Sequence, residues 1–410
     1  MKYRLKRYNS RLKGTVTLES SKSESNRALI INALAGGEAT RIANLSNARD
    51  TQTMLSLLQS RPEVYDVKDA GTTMRFLTAY LAIHGEGETI TGSERMKNRP
   101  IGPLVDSLRS IGAQIEYLEK DGYPPLRISK IEHQQTNEIS IKGNISSQYI
   151  SALLMIAPQL ENGLTINLTT DIYSLPYIQM TLDLMRAFDV ESDFEGNTVS
   201  VKPQAYEPTK YAIEGDWSGA SYWYGFMALS PEKGYLNLPD IRNYSTQGDK
   251  EIANIMYQLG ITTYFEPGKV KLMKRNERVH CLKIDFRDCP DLAQTVMVAA
   301  AASDVKLEMV GLESLKIKET DRIAAMQAEL NKIGAQLLEN KSEWTLIPSV
   351  NLPDEVEIDT YEDHRMAMAF APLCFLMDVT ICDPMVVEKS YPGFWDEVEK
   401  IGVKIEKINN

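Results

Sequence analysis

One pattern recurs along the chain at a nearly fixed interval: an amphipathic helix, a bulky apolar residue before glycine, then a short alternating segment of strand character. It reads LRSIGAQIEYLE, MYQLGITTYFE, LNKIGAQLLE and VEKIGVKIEK, with MRAFDVESDFE as a copy whose glycine has become Asp189. The equivalent positions are Gly112, Asp189, Gly260, Gly334 and Gly402, spaced by 77, 71, 74 and 68 residues. Glycine there suits the left-handed residue that ends a helix, and the sequel has strand chemistry. Five copies of one unit predict a repeated α/β module. An earlier copy is clipped: TMLSLLQS supplies a helix, but only RPEVYDVK separates it from DAGTTMRF. The first module is therefore expected to have lost strands.

With 410 residues the chain has room for two domains, and 43% hydrophobic with 25% charged residues is an ordinary globular composition. The net charge is −11 and no basic block occurs, which argues against a nucleic-acid or anionic-membrane partner. An anionic ligand must be met by a local cluster. The start, MKYRLKRYNS, is basic with no apolar segment behind it, so a cytoplasmic location is expected. The longest apolar runs, such as MAMAFAPLCFLM, fall short of the ~20 residues that span a bilayer. Cys281, Cys289, Cys374 and Cys382 lack CxxC spacing and sit among apolar neighbours, so reduced, buried thiols are expected rather than a disulfide frame or a zinc site.

Charge collects where strands feed helices. In SSKSESNR, Lys22, Ser23 and Arg27 fall within six residues, with Ser23 and Arg27 one helical turn apart. A helix start with exposed N–H groups and basic side chains suits an anion, although Ser and Asp there are also ordinary caps. DAGTTMRF offers Gly71 for close backbone approach, Thr72 and Thr73 as caps, and Arg75; ERMKNRPIG adds Arg95, Lys97 and Arg99. SSQY supplies Ser146, Ser147 and Gln148, and DIYSLPYI supplies Ser174 and Tyr177. In DFRDCPDLAQT, Asp291 stands at a helix mouth, either as a cap or as a proton acceptor. KIKETDRIAAM places Lys318 and Arg322 four apart and Glu319 three before Arg322, either a surface ion-pair ladder or a cationic grip carrying an acid. YEDHRMAM repeats that logic with Asp363, His364 and Arg365, and EKSYPGF puts Lys389 in a flexible turn.

In this order, SKSxSNRAL, AGTTMR, RMKxRPI, SSQY, PDLAQT, KETDR, YEDHRMAM and KSYPGFW resemble the 5-enolpyruvylshikimate-3-phosphate (EPSP) synthase family, from about residue 14 to residue 395. The resemblance implies a two-domain inside-out α/β barrel of βαβαββ units, the first of them shortened here. It implies one domain of residues 21–213 on the shikimate 3-phosphate side, another of 1–20 with 214–410, and an active site in the cleft between them. The implied reaction transfers the enolpyruvyl group of phosphoenolpyruvate to the 5-hydroxyl of shikimate 3-phosphate, releasing phosphate, on the route to chorismate and the aromatic amino acids. No metal or organic cofactor is implied, and the chain is expected to act as a monomer on these two small molecules.

Carried over position by position, the resemblance gives shikimate 3-phosphate to Lys22, Ser23, Arg27, Ser146, Ser147, Gln148, Ser174, Tyr177, Asp291 and Lys318. It gives phosphoenolpyruvate to Lys22, Gly71, Arg99, Gln148, Arg322, Arg365 and Lys389. Asp291, Glu319 and Lys22 are the implied catalytic groups: Asp291 accepts the 5-hydroxyl proton and Glu319 protonates C3. Departures from the family pattern stand at Glu19-Ser20, Asp69, Phe76, Ser314 and Lys316. A sister transferase acting on UDP-N-acetylglucosamine generally carries a reactive Cys or Asp in a mobile loop, whereas every Cys here lies beyond residue 280. A non-catalytic phosphate-binding protein of this fold is disfavoured by intact Asp291 and Glu319.

Overall fold

The computed structural model describes residues 1–408 other than 232 and 276. The chain divides into two compact units, Ser20–Ile213 (the central unit) and Met1–Glu19 with Glu214–Asn410 (the split unit). Each has its own core. Phe76, Leu77, Ile150, Leu153, Ile178 and Met185 are buried together in the central unit; Trp217, Trp223, Phe226, Phe286 and Phe370 are buried together in the split unit.

Among the described residues, five four-stranded sheets share one topology, a parallel pair followed by two antiparallel pairings. In the central unit Val64–Asp66 runs parallel to Glu86–Thr91, which pairs antiparallel with Leu126–Ser129 and that strand with Gln114–Tyr117. Glu138–Ile141, Leu164–Leu168, Thr198–Val201 and Asp193–Glu195 repeat it. In the split unit Cys281–Asp285, Lys306–Val310, Glu343–Ile347 and Gln336–Asn340 form a third copy. The remaining two each borrow a strand from the N-terminal segment: Lys13–Thr15 beside Tyr235–Pro239, and Lys2–Leu5 between Asp378–Cys382 and Ile405–Ile408. The sixth sheet has only two strands, Ile42–Ala43 and Tyr211–Ala212. The strand after the clipped helix Arg49–Ser60 is Val64–Asp66, which is spent on the next sheet.

The helix-to-strand corners explain the period. Gly112, Asp189, Gly260, Gly334 and Gly402 all have positive φ (125°, 66°, 90°, 81° and 102°), so the chain reverses through a left-handed residue in every copy. Asp replaces Gly once because it is among the few L-residues that enter this region at modest cost.

Within each unit the helices lie inside and the sheets outside. Strands such as Glu138–Ile141 and Glu355–Ile358 alternate exposed and buried positions. Ala293–Ala301 and His364–Phe370 are buried at every position, Ser147–Ile156 at all but Gln148, and Trp217–Leu229 at all but Ser218. Helices walled in on every side need no polar face. The thiols depart from expectation: Cys289 and Cys374 are buried, but Cys382 is half-buried and Cys281 is exposed, because it opens a strand on its outward-facing register. All four are free. No helix among the described residues is long and apolar enough to cross a membrane.

Candidate active site

The candidate side chains cluster at the starts of the inner helices, where the first backbone N–H groups lack intrahelical partners. In the central unit Lys22–Leu34 opens under a Ser21 cap, whose hydroxyl accepts from Glu24 N. Lys22 Nζ meets Asp50 Oδ2 at 3.1 Å. Arg27 is 2% exposed and held by neutral groups: Nε donates to Thr181 Oγ1 at 2.8 Å, Nη2 to Ser151 Oγ at 3.0 Å and Nη1 to Ser23 O at 2.9 Å. The rings of Phe76 and Tyr177 flank its Cζ at 5.3 and 5.8 Å, so the departure at Phe76 supplies a wall for the guanidinium. Burial without a carboxylate among these partners lowers its pKa to about 10.

Gly71 begins the helix Gly71–His84, and a Cβ there would lie 2.6 Å from Arg99 Nη1. Only glycine lets that guanidinium settle against the helix start. Gln148 Nε2 donates to Thr72 Oγ1 at 3.1 Å, joining this helix to Ser147–Ile156, which Ser146 caps by accepting from Gln148 N. Ser147 is its first residue. Ser174, left-handed at φ 57°, precedes Leu175–Ala187, which carries Tyr177. Thr72 and Thr73 are not caps: Ala70 occupies the cap position, and Thr73 Oγ1 donates instead to Asp50 O. Arg75 donates to Gly71 O, Pro100 O and the Met96 sulfur, which ties the helix to the loop carrying Arg99. The acidic departure Asp69 pairs with Arg49 at 3.0 Å.

In the split unit one cluster gathers all the remaining candidates. The helix begins at Arg322, capped by Asp321, so Lys318 and Glu319 sit on the lead-in and not on a shared helical face. Glu319 still reaches Arg322, Oε2 to Nη2 at 2.8 Å, and lies 3.8 Å from Lys389 Nζ. Arg322 is 1% exposed and takes two more carboxylates: Nη1 donates to Asp291 Oδ1 at 2.9 Å and Nε to Asp363 Oδ2 at 2.7 Å. Arg365 Nη2 meets Asp291 Oδ2 at 2.9 Å, while its Nη1 donates to Asp291 O and Tyr222 Oη. Lys318 Nζ stands 3.9 Å from Asp291 Oδ1. Asp291 is therefore not a cap; Leu292 precedes the helix Ala293–Ala301, and the carboxylate turns to the arginines. Lys389 is 2% exposed in the turn Pro384–Lys389, a packed position where a flexible one was expected.

The electrostatics follow from this crowding. Burial pushes the Asp291 carboxyl up, but Arg365, Lys318 and Arg322 pull harder and hold it well below the usual carboxylate range. Burial lowers Lys318, partly offset by Asp291 and Glu319. Burial opposes the charge of Arg322 as well, yet Asp363, Glu319 and Asp291 outweigh it and hold its pKa above the ordinary arginine value. Four cations and three carboxylates, nearly balanced, can exchange partners without leaving a bare buried charge.

Sequence reasoning passed over most of the groups that hold these cations. Ser151 and Thr181 had a weak signal, lone hydroxyls within apolar helical runs. Asp50 had none, since its cation lies 28 residues away, and Asp363 stood out only within YEDHRMAM, with nothing to tie it to an arginine 41 residues away. Asp249 is a further surprise: 2% exposed, with Ser218 Oγ donating to Oδ2, Oδ1 buried without a partner, and its pKa raised to about 7 by burial and then by Asp291. Among the described residues no group of three or more His, Cys, Asp or Glu is arranged to hold a metal ion.

Comparison with known proteins shows what the chain as a whole resembles. The family model described as EPSP synthase (3-phosphoshikimate 1-carboxyvinyltransferase) matches residues 6–61 and 58–398. A 3-phosphoshikimate 1-carboxyvinyltransferase of Bacteroides fragilis is 46% identical over 402 residues, 97% of each chain. One of Methanospirillum hungatei is 37% identical, covering 93% of this chain and 94% of its own. The solved EPSP synthase of Acinetobacter baumannii superposes with a TM-score of 0.79 over 99% of both chains at 19% identity, which shows the shared fold. With nearly the whole chain matched and the fold in common, the protein belongs to the EPSP synthase family.

Proposed function

We propose that this chain catalyses the reaction for which its family is named, transferring the enolpyruvyl group of phosphoenolpyruvate to the 5-hydroxyl of shikimate 3-phosphate with release of phosphate. The observation that carries the reading is the split-unit cluster, where two buried arginines meet the two carboxylates that the chemistry needs. Two phosphates at about −1.5 to −2 each, together with carboxylates, demand concentrated positive charge.

In this reading Lys22, Ser23, Arg27, Ser146, Ser147, Gln148, Ser174 and Tyr177 hold shikimate 3-phosphate, with Asp291 and Lys318 at its reacting hydroxyl. Lys22, Arg99 and Lys389 hold the donor phosphate beside Gly71 and Gln148, and Arg322 and Arg365 hold its planar carboxylate, which their forks match. Asp291 takes the proton of the 5-hydroxyl as that oxygen bonds to C2, while Glu319 protonates C3. The resulting ketal returns the C3 proton to Glu319 as the bond from C2 to the phosphate oxygen breaks, and the proton on Asp291 leaves with phosphate. Fixed cations stabilise the leaving group, and orientation of two bound reactants supplies much of the rate. We read the enzyme as a cytoplasmic monomer, the reading that the family resemblance favours.

The test is phosphate release from phosphoenolpyruvate by purified protein, with shikimate 3-phosphate or UDP-N-acetylglucosamine as acceptor. Release only with shikimate 3-phosphate is expected. Release only with the sugar nucleotide, or with neither, overturns the reading.

A further inference from the structure

The donor-carboxylate position assigned above is already filled by a side chain. Asp291 bridges Arg322 and Arg365 with its two oxygens at 2.9 Å each, the arrangement a ligand carboxylate would adopt. A guanidinium has five N–H donors. On Arg322, Nε is given to Asp363, Nη2 is shared between Glu319 and Asp363, and Nη1 donates to Asp291, so at most one N–H remains for a newcomer. A second carboxylate can take a two-pronged hold on Arg322 only if one of the three residents leaves.

The residents are not equally movable. Asp363 is fully buried and also accepts from Arg365 N at 2.9 Å, so it anchors both arginines at once. Glu319 is tied to Lys389 as well as Arg322. Asp291 retains 19% side-chain exposure and sits in a short turn, Pro290–Leu292, ahead of its helix.

We propose that Asp291 stands in for the donor carboxylate in the empty enzyme and is displaced by it, so that donor binding releases the base. The exchange is carboxylate for carboxylate, so neither guanidinium is left bare at any stage. Freed from two guanidiniums, Asp291 regains basicity near the acceptor hydroxyl; paired with them, both of its oxygens are occupied and its basicity is lowered. The base is thus idle until the donor is seated. This rests on the donor and acceptor assignments under Proposed function and deepens them: a donor without a carboxylate would bind through its phosphate and leave the base off.

The experiment measures binding of phospholactate, a saturated donor analogue that keeps the phosphate and carboxylate, and of inorganic phosphate, to wild type, Asp291→Asn and Asp291→Ala without acceptor. Removing the resident carboxylate should tighten phospholactate about tenfold or more and phosphate no more than about threefold, while turnover with phosphoenolpyruvate collapses. The Ala variant covers the case in which the Asn variant fails to fold. Equal tightening of both ligands means only that a negative charge was removed, and no tightening means that Asp291 does not compete; either overturns the exchange. Failure of the underlying assignment looks different, since wild type would then release no phosphate with shikimate 3-phosphate.

Discussion

Arg27 and Arg322 are both buried guanidiniums near the start of a helix, and the protein solvates them in opposite ways. Arg27 gives its hydrogen bonds to two hydroxyls and one backbone carbonyl, between two aromatic rings. Arg322 gives its bonds to three carboxylates. Burial lowers the pKa of the first, while its carboxylates outweigh burial and raise that of the second. A cation among neutral dipoles keeps its full charge for an incoming anion, which suits steady recognition of a phosphorylated substrate. A cation already paired offers exchange and brings acid–base groups within reach of one another. Lys22 on the central side departs from the pattern of Arg27, since its Nζ is paired with the Asp50 carboxylate.

The largest break in this contrast should come from Glu319→Gln. If the carboxylates of the split unit do chemistry, loss of the acid should lower kcat by about 10²–10⁴ while both KM values stay within about fivefold. Exchange of solvent deuterium into C3 of phosphoenolpyruvate should vanish with it. A Glu319 that merely neutralised Arg322 and Lys389 would shift KM for phosphoenolpyruvate and spare kcat. Asp363→Asn asks next whether the fixed partner matters more than the chemical ones. Breaking a buried pair while its cation stays buried costs about 3–5 kcal/mol, read as a lower Tm with KM for phosphoenolpyruvate raised and KM for shikimate 3-phosphate little changed. On the neutral side, Thr181→Val strands the Arg27 Nε donor and should cost about 1–3 kcal/mol. A loss at Thr181 as large as that at Asp363 would erase the distinction.

Much of this was legible in the sequence, for a physical reason. A helix that reverses into a strand at fixed length needs a left-handed residue, so the repeat stamped glycines at Gly112, Gly260, Gly334 and Gly402, and even the exception at Asp189 obeys the geometry. The basic residues were visible because anion sites draw on few residue types. What they would be spent on was not. Arg75 and Arg27 look alike in sequence, yet Arg75 donates to two backbone carbonyls and the Met96 sulfur. KIKETDR looked helical from Lys318, but Asp321 makes the better cap and starts the helix at Arg322. The pairing of Arg322 with Asp363 leaves no local trace, because the chain builds a strand pair and a further strand between the two residues.

Asp249 sharpens the comparison from another side, as a split-unit carboxyl bonded to a hydroxyl, Ser218 Oγ, and raised to about 7. Its folded pKa exceeds the usual carboxyl value of ~3.9, so the native state binds this proton more tightly than the unfolded chain. The stability it contributes is complete below about pH 4 and is lost as pH rises through about 7, on the order of 2–4 kcal/mol. Asp249→Asn should therefore flatten the fall in Tm between pH 5 and pH 8 and melt above wild type at pH 8. A parallel shift at both pH values would mean that Asp249 is ionised throughout.

The smallest effect is expected at Asp69, where an acidic residue beside a phosphate-seeking helix invites the view that it repels the ligand. Its carboxylate is instead claimed by Arg49 at 3.0 Å, with side chains 31% and 47% exposed. Exposed pairs of this kind are worth about 0–1 kcal/mol, and the pairing already cancels most of the field that Asp69 would project toward Gly71 and Arg99. Asp69→Asn should then change KM for phosphoenolpyruvate by less than about twofold, and Arg49→Gln, which unmasks the carboxylate, should raise it more than Asp69→Asn lowers it. If Asp69→Asn instead tightens the donor several-fold, the central unit too would hold a carboxylate that competes for ligand cations, and the contrast drawn from Arg27 and Arg322 would be one of degree.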